Sequence, residues 1–448
     1  MLSITPNTAS LMYSDLVKSF KFFNVMSDYA YNNPIYSENR FKIAIKEHKL
    51  NSANIINNFV YQVNKESSAS KTIVFIAGKC YPMMAREAAY LRKSGFKTFL
   101  ISMGNISNND AELLADSFDE IIQSCLFFPI LGKILKKINP DFYHVQCWMW
   151  NYSLGKFVLE NRGKSKVISE FYDVTGMYSE RSKLKSAFWN KIVDLDFFCE
   201  KFIFEKSDGI IHRYKQEIFL NYSKKYNRNM NILEFQQYPI NFNQQVYNSK
   251  KRLVYCGNII GPKDERHPRK LFPTSGMYDA FEQLISQDFE IYVYLPISTV
   301  GIDKYNSWLI DLTKKHPKNF FIYNSLPIQK LIKEISKYDF GINLSIMDKS
   351  KSDLSNLTFN GGMGTKLYTF LEAGLPVLVN KEYSYMSELL EKNNIGMGIS
   401  SKDIFKTNRI LSKVDIKYLK SNVKRFYDNN NIWKKGKILK NFYLSLIN

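Results

Sequence analysis

Short apolar runs separated by helical spacing dominate this chain from about residue 72 onward. Thr72–Ala77 (TIVFIA) is almost wholly apolar and Gly78 ends it; runs of that kind form strands buried on both faces of a parallel sheet. Pro82–Arg92 then carries a helical pattern, closed by Ser94-Gly95. The pattern predicts further strands at 97–102, 120–123, 142–146, 166–171 and 209–212, with helices ending near Lys137 and across 187–204. After Tyr247-Asn248-Ser249-Lys250 it restarts, with strands at 252–256, 290–295, 320–324, 340–344 and 377–379. Helices are predicted at 275–286, 326–338 and 365–373. Two alternating halves predict an α/β chain of two Rossmann-like, doubly wound domains facing across a cleft, where ligands meet strand C-termini.

The flanks read differently. Residues 1–70 form an extension rich in Asn, Lys, Ser and Tyr, whose apolar patches suggest short amphipathic helices. Within it, 64–71 (NKESSASK) reads as a linker. The expected domains are then 71–248 and 249–430. Residues 431–448 place Ile432, Trp433, Ile438, Phe442, Tyr443 and Leu446 among lysines, a C-terminal amphipathic helix.

Composition narrows the class. The chain has 448 residues, 45% hydrophobic and 15% aromatic, enough for two folded cores. Lys and Arg outnumber Asp and Glu by 62 to 42, a net charge of +20 that favours anionic partners. No DNA- or RNA-binding motif accompanies the charge, so no nucleic-acid partner is expected. Five cysteines without a C-x-x-C pair argue against a zinc ribbon or disulfide framework. No charged-then-apolar leader and no long apolar run is present, so a cytoplasmic location is expected.

The candidate chemistry is concentrated in 360–398. Gly362 and Gly364 open a helix that ends at Ala373-Gly374, followed by Pro376 and a buried strand. A glycine-rich entry bares amides at a helix N-terminus, where the dipole favours a phosphate. Thr365 and Lys366 add N–H donors and an ammonium. Neither G-x-G-x-x-G nor the P-loop pattern is matched.

Four stretches together resemble the GT-B glycosyltransferases. Residues 75–102 resemble that family's opening strand, loop and helix, and Pro140-Asp141-Phe142-Tyr143-His144 its "PD…H" strand. Leu253-Val254-Tyr255-Cys256-Gly257 resembles the first donor-domain strand, and Gly364–Val377 the K-L-x-E-Y-L-A-x-G-x-P-V donor signature. The resemblance covers roughly 72–400 and implies an acceptor-side domain followed by a nucleotide-sugar donor domain. Gly257, Lys263, Gly362, Gly364, Thr365 and Lys366 would then hold the donor diphosphate, with no metal and no cofactor beyond a UDP- or GDP-linked sugar. The chain departs from the pattern at two places. The Glu-x7-Glu pair is replaced by Gly361 and Thr369, and Asn258 stands where many members carry Arg.

Acceptor chemistry needs a base for a hydroxyl proton. Asp173, just past a strand end, is the first candidate and His144 the second. Glu170, within the strand, ranks below Asp173. Arg86 is expected to be a surface cation and Glu372 a surface residue near its helix end. Trp148 and Trp150 could stack on a sugar, with core packing expected for at least one. The expected function is transfer of a hexose to a surface-polysaccharide or lipid-linked glycan acceptor, with an anionic membrane face as a further partner. The alternatives are a nucleotide-sugar epimerase of the same fold and a non-catalytic scaffold.

Overall fold

In the computed structural model, the strand that opens each lobe alternates its side chains between two cores. The structure describes residues 55–447 except 79, 104–110, 123–127, 189, 227–229, 246–250, 260–268, 272–275 and 296–306. In β1 (Thr72–Ala77), Ile73, Phe75 and Ala77 enter one core while Val74 and Ile76 enter the other. Burial on both faces explains why the run reads as continuously apolar. β2 (Lys97–Ser102), β3 (Glu120–Ile122), β4 (Phe142–Cys147), β5 (Lys166–Phe171), β6 (Gly209–His212) and β7 (Asn231–Glu234) complete a seven-stranded parallel sheet, ordered β3-β2-β1-β4-β5-β6-β7.

The second lobe repeats the plan. β8 (Arg252–Cys256), β9 (Glu290–Leu295), β10 (Phe320–Asn324), β11 (Phe340–Asn343), β12 (Val377–Asn380) and β13 (Gly396–Ile399) form a parallel sheet ordered β10-β9-β8-β11-β12-β13. Strand order reverses between β1 and β4 and between β8 and β11, and a crevice opens outside strand C-termini at such points. β7 and β13 were not predicted. β7 is only partly buried and carries Asn and Glu at its ends, and β13 (GMGI) is half glycine, so neither shows a long apolar run.

Several connections cross between the lobes. The final helix, Ile432–Ser445, returns to the first lobe, where Ile432, Leu439, Tyr443 and Leu446 join the core beneath helix Pro82–Lys93. A Cβ at Gly436 would lie 2.4 Å from the Tyr90 ring, so this glycine lets the helices touch. The amphipathic face predicted for the tail is therefore largely spent on the protein's own core, with Trp433 and Ile438 left partly outside. On the other side of the crevice, Ser179 pairs with Leu354 in an antiparallel bridge, and the Ser355 N–H donates to Tyr178 O at 2.8 Å.

Part of the expected linker, 64–71, belongs instead to a helix over 55–67, which buries Phe59 and Val63 against the first lobe. Most of the rest of the extension, including its predicted short helices, lies outside the described residues.

Candidate functional site

The second lobe contributes a strand end without a side chain beside a helix start without a side-chain cap. β8 is followed by Gly257, whose φ of +125° is open to glycine and strained for other residues. A Cβ there would fall 2.4 Å from Cε of Lys366, so the missing side chain is what lets the lysine lie across the strand end. Lys366 is half-buried, 5.4 Å over the Tyr255 ring, and has no carboxylate partner among the described residues. Tyr255 donates to Asn258 O at 2.6 Å, so the residue replacing the family's Arg serves through its backbone.

Helix Thr365–Glu372 starts beside this lysine with Gly364 as its N-cap and no side-chain cap. The Leu367 N–H donates to Gly364 O at 3.2 Å, which leaves the Thr365 and Lys366 amides as the first-turn donors without an acceptor in the helix, and Thr365 is exposed. The Gly364 N–H points at Sδ of Met386, 3.2 Å away, a weak acceptor. Gly362 ends the preceding helix, Asn356–Gly361, with an ordinary φ of −71°. Gly257, Gly364, Thr365 and Lys366 are thus gathered at the second lobe's switch point, with Gly362 three residues before the helix. Lys263 and most of its basic loop lie outside the described residues.

Asp173 stands opposite. It is exposed, yet walls crowd it, and that confinement pushes its carboxyl above the ordinary aspartate value while the Lys366 ammonium draws it back down. The field of the Lys366 ammonium thus reaches the Asp173 carboxyl. The loop carrying Asp173 is held by side chains. Tyr152 donates to Asp173 O, Thr175 donates to Asp196, and the Gly176 N–H donates to Glu200 at 3.0 Å. Burial pushes Asp196 up to about 8. Asp196 and Glu200 were missed, although two acids four residues apart on the buried face of helix Asn190–Lys206 are a signal worth reading.

Several expectations need correction. His144 has no exposed surface; its ring stacks on Phe75 at 4.7 Å, with Tyr443 on Nδ1 and Glu170 on Nε2 at 3.1 Å. It is a core residue that joins β4 to the returning tail, with no path to an acceptor. Glu170 is equally enclosed, held by Arg213 well below the usual carboxylate range against the cost of burial. Arg86 is not a surface cation: it is 3% exposed and pairs with the 2% exposed Glu372 at 2.5 Å, across the lobe boundary. Glu372 therefore faces the hinge, and Thr369 is buried, so neither supplies the missing carboxylate pair to the crevice. Trp150 packs on Phe188 at 4.7 Å, in keeping with the core packing expected for at least one tryptophan, while Trp148 meets Tyr81 edge-on at 5.2 Å.

One group of side chains among the described residues has metal-ligand spacing: Glu87, His144 and Glu170, all buried. The Arg213 guanidinium already contacts both carboxylates, and the group lies within the first lobe's core.

The facing parallel sheets define the GT-B fold. Solved structures share it at low identity. HepE of Anabaena, in complex with UDP-glucose, aligns with a TM-score of 0.57 at 10% identity, over 84% of this chain and 99% of that one. A glycosyltransferase of Rickettsia africae aligns at 0.53 and 13% identity, over 85% and 99%. The lipopolysaccharide outer core galactosyltransferase WaaB aligns at 0.50 and 12% identity, over 84% and 99%. In sequence, residues 297–444 match the family described as glucosyltransferase 3-like, C-terminal domain. No curated protein matches the chain. Among the described residues no helix is long and apolar enough to cross a membrane.

Proposed function

We propose that this protein is a glycosyltransferase that moves a hexose from a UDP- or GDP-sugar onto a hydroxyl of a surface-polysaccharide or lipid-linked glycan, without a metal. The observation that carries the reading is the Lys366 ammonium, without a carboxylate partner among the described residues, laid over Gly257 beside a helix start without a side-chain cap, with its field reaching Asp173. The family match over 297–444 and the UDP-glucose held by HepE support a nucleotide-sugar donor.

In the step itself, the acceptor oxygen bonds to the anomeric carbon as the bond from that carbon to the phosphate oxygen breaks. Asp173 takes the hydroxyl proton, and the diphosphate leaves with the bonding electrons. Negative charge grows on that leaving group, so the Lys366 ammonium and the Thr365 and Lys366 amides act most strongly in the transition state. Closure of the lobes excludes water that would otherwise take the sugar. Docking at an anionic membrane face belongs to the same reading and rests on the net charge of +20, since the tail helix is packed inward.

Calorimetry against a panel of UDP- and GDP-sugars, with wild type and Lys366→Met, tests this. One donor should bind the wild type, and the substitution should weaken it by about tenfold or more. Failure of the wild type to bind any nucleotide sugar would favour a non-catalytic scaffold and end the proposal.

A further inference from the structure

We propose that Arg86 is a positioning residue that holds the donor helix Thr365–Glu372 at both ends from the opposite lobe. The inference rests on the reading of that helix start as the diphosphate site. Arg86 projects from helix Pro82–Lys93 of the first lobe, yet its partners lie in the hinge and the second lobe. One edge of the guanidinium meets Glu372 at the helix C-terminal end, Nη2 to Oε2 at 2.5 Å. The other edge meets Gln237: with the amide turned to satisfy both neighbours, its oxygen accepts from Nη1 at 3.1 Å and its nitrogen donates to Thr365 O at 3.0 Å. A single planar cation thereby touches the last residue of the helix directly and the first through one amide.

The surroundings leave Arg86 little alternative. The nearby carboxylates Glu87 and Glu170 are engaged by Arg213. Glu372 is anchored on its far oxygen by the N–H groups of Ile240 at 3.1 Å and Asn241 at 2.9 Å, both in the segment joining the lobes. Gly374, just beyond the helix, has φ +72°, and a Cβ there would meet Asn243 O at 2.7 Å. The connecting segment and Arg86 thus grip the helix C-terminal end together, while Gln237 carries the restraint to Thr365. A lysine could keep the charge at Glu372, but its single ammonium cannot serve two planar partners as a guanidinium does. Helix attitude fixes where the first-turn amides point, and misplacement by about 1 Å is costly to a reacting geometry.

The test compares wild type with Arg86→Lys, Arg86→Ala and Gln237→Leu, by steady-state transfer, melting temperature and amide hydrogen exchange over 364–374. Arg86→Lys should melt near the wild type yet lose about tenfold or more in kcat, with donor KM little changed. Gln237→Leu, which leaves the ion pair, should lose less in kcat, and both should exchange faster at 365–367. Added guanidinium ion, and not the same concentration of ammonium, should restore part of the Arg86→Ala activity. Equal kcat and equal exchange in Arg86→Lys and wild type would overturn the proposal, as would loss of activity in Arg86→Ala that tracks only its folded fraction. If Arg86→Ala does not fold, the other two variants decide. Should the wild type transfer no sugar, the functional reading fails by itself, and exchange at 365–367 still tests whether Arg86 holds the helix.

Discussion

On the second lobe's side of the crevice the surface is mostly backbone: Gly257 without a side chain, an uncapped helix start, and Lys366 lying over both. Asp173, on the first lobe's side, stands on a loop pinned by Tyr152, Asp196 and Glu200, side chains drawn from two separate helices. Backbone amides suit a diphosphate, because that group is the same whatever sugar it carries. Side chains suit an acceptor, whose identity must be read by shape and chemistry. On the proposed function, the crevice would join a generic anion cradle to a tailored wall, and substitutions on the two sides should fail in different ways.

The largest expected effect is on the wall. Asp173→Asn should lower kcat by about 10²- to 10⁴-fold while leaving donor affinity nearly unchanged. Because crowding raises the Asp173 carboxyl, the acid limb of the kcat/KM profile should lie above the ordinary aspartate value. The sign follows from the role: a base must be ionised, so a raised carboxyl loses activity at a higher pH as the solution is acidified. Lys366→Met removes the charge that pulls the carboxyl down, so the limb should move to still higher pH. A limb that stays fixed in Lys366→Met would separate the two groups and break the facing arrangement.

Gly257→Ala tests the cradle with a smaller change. The added carbon would meet Cε of Lys366 at 2.4 Å from a backbone at φ +125°. The lysine can swing aside, so the fold should survive with a strain of about 1–3 kcal/mol. Nucleotide-sugar affinity should fall by about tenfold, close to 1.4 kcal/mol, as read by calorimetry. Unchanged affinity would mean that the anion does not rest where Gly257 and Lys366 meet.

The same contrast explains what could be read in the sequence. The cradle was legible because glycines, a lysine and a helix stop sit within one short stretch, and each has a local reason to be there. Even so, of the glycines assigned to the anion, Gly257 at a strand end has the demanding φ, while Gly362 and Gly364 adopt ordinary angles. The strands were legible because doubly buried runs such as Thr72–Ala77 and Arg252–Cys256 are continuously apolar. The wall and the hinge were not. Arg86 and Glu372 are 286 positions apart, and nothing local distinguishes a buried cross-lobe arginine from one in water. The tail misled for a related reason: an amphipathic stripe shows that an apolar face is covered, and does not name what covers it.

His144→Gln carries the smallest expected effect on transfer and guards the assignment of the base. Its ring lies wholly inside the first lobe between Phe75, Glu170 and Tyr443. Glutamine keeps a donor and an acceptor, but at different positions from the imidazole nitrogens. Leaving Glu170 or Tyr443 partly unpaired should therefore cost about 1–3 kcal/mol, seen as a lower melting temperature. Tyr443 belongs to the tail helix that seals this core, so the loosening should appear first as faster hydrogen exchange over 432–445. Neither change reaches the crevice, and kcat per folded molecule should equal that of the wild type. A fall in kcat as deep as that of Asp173→Asn, with melting unchanged, would shift the proton acceptor to the imidazole and erase the distinction between a pinned, water-facing wall and the core behind it.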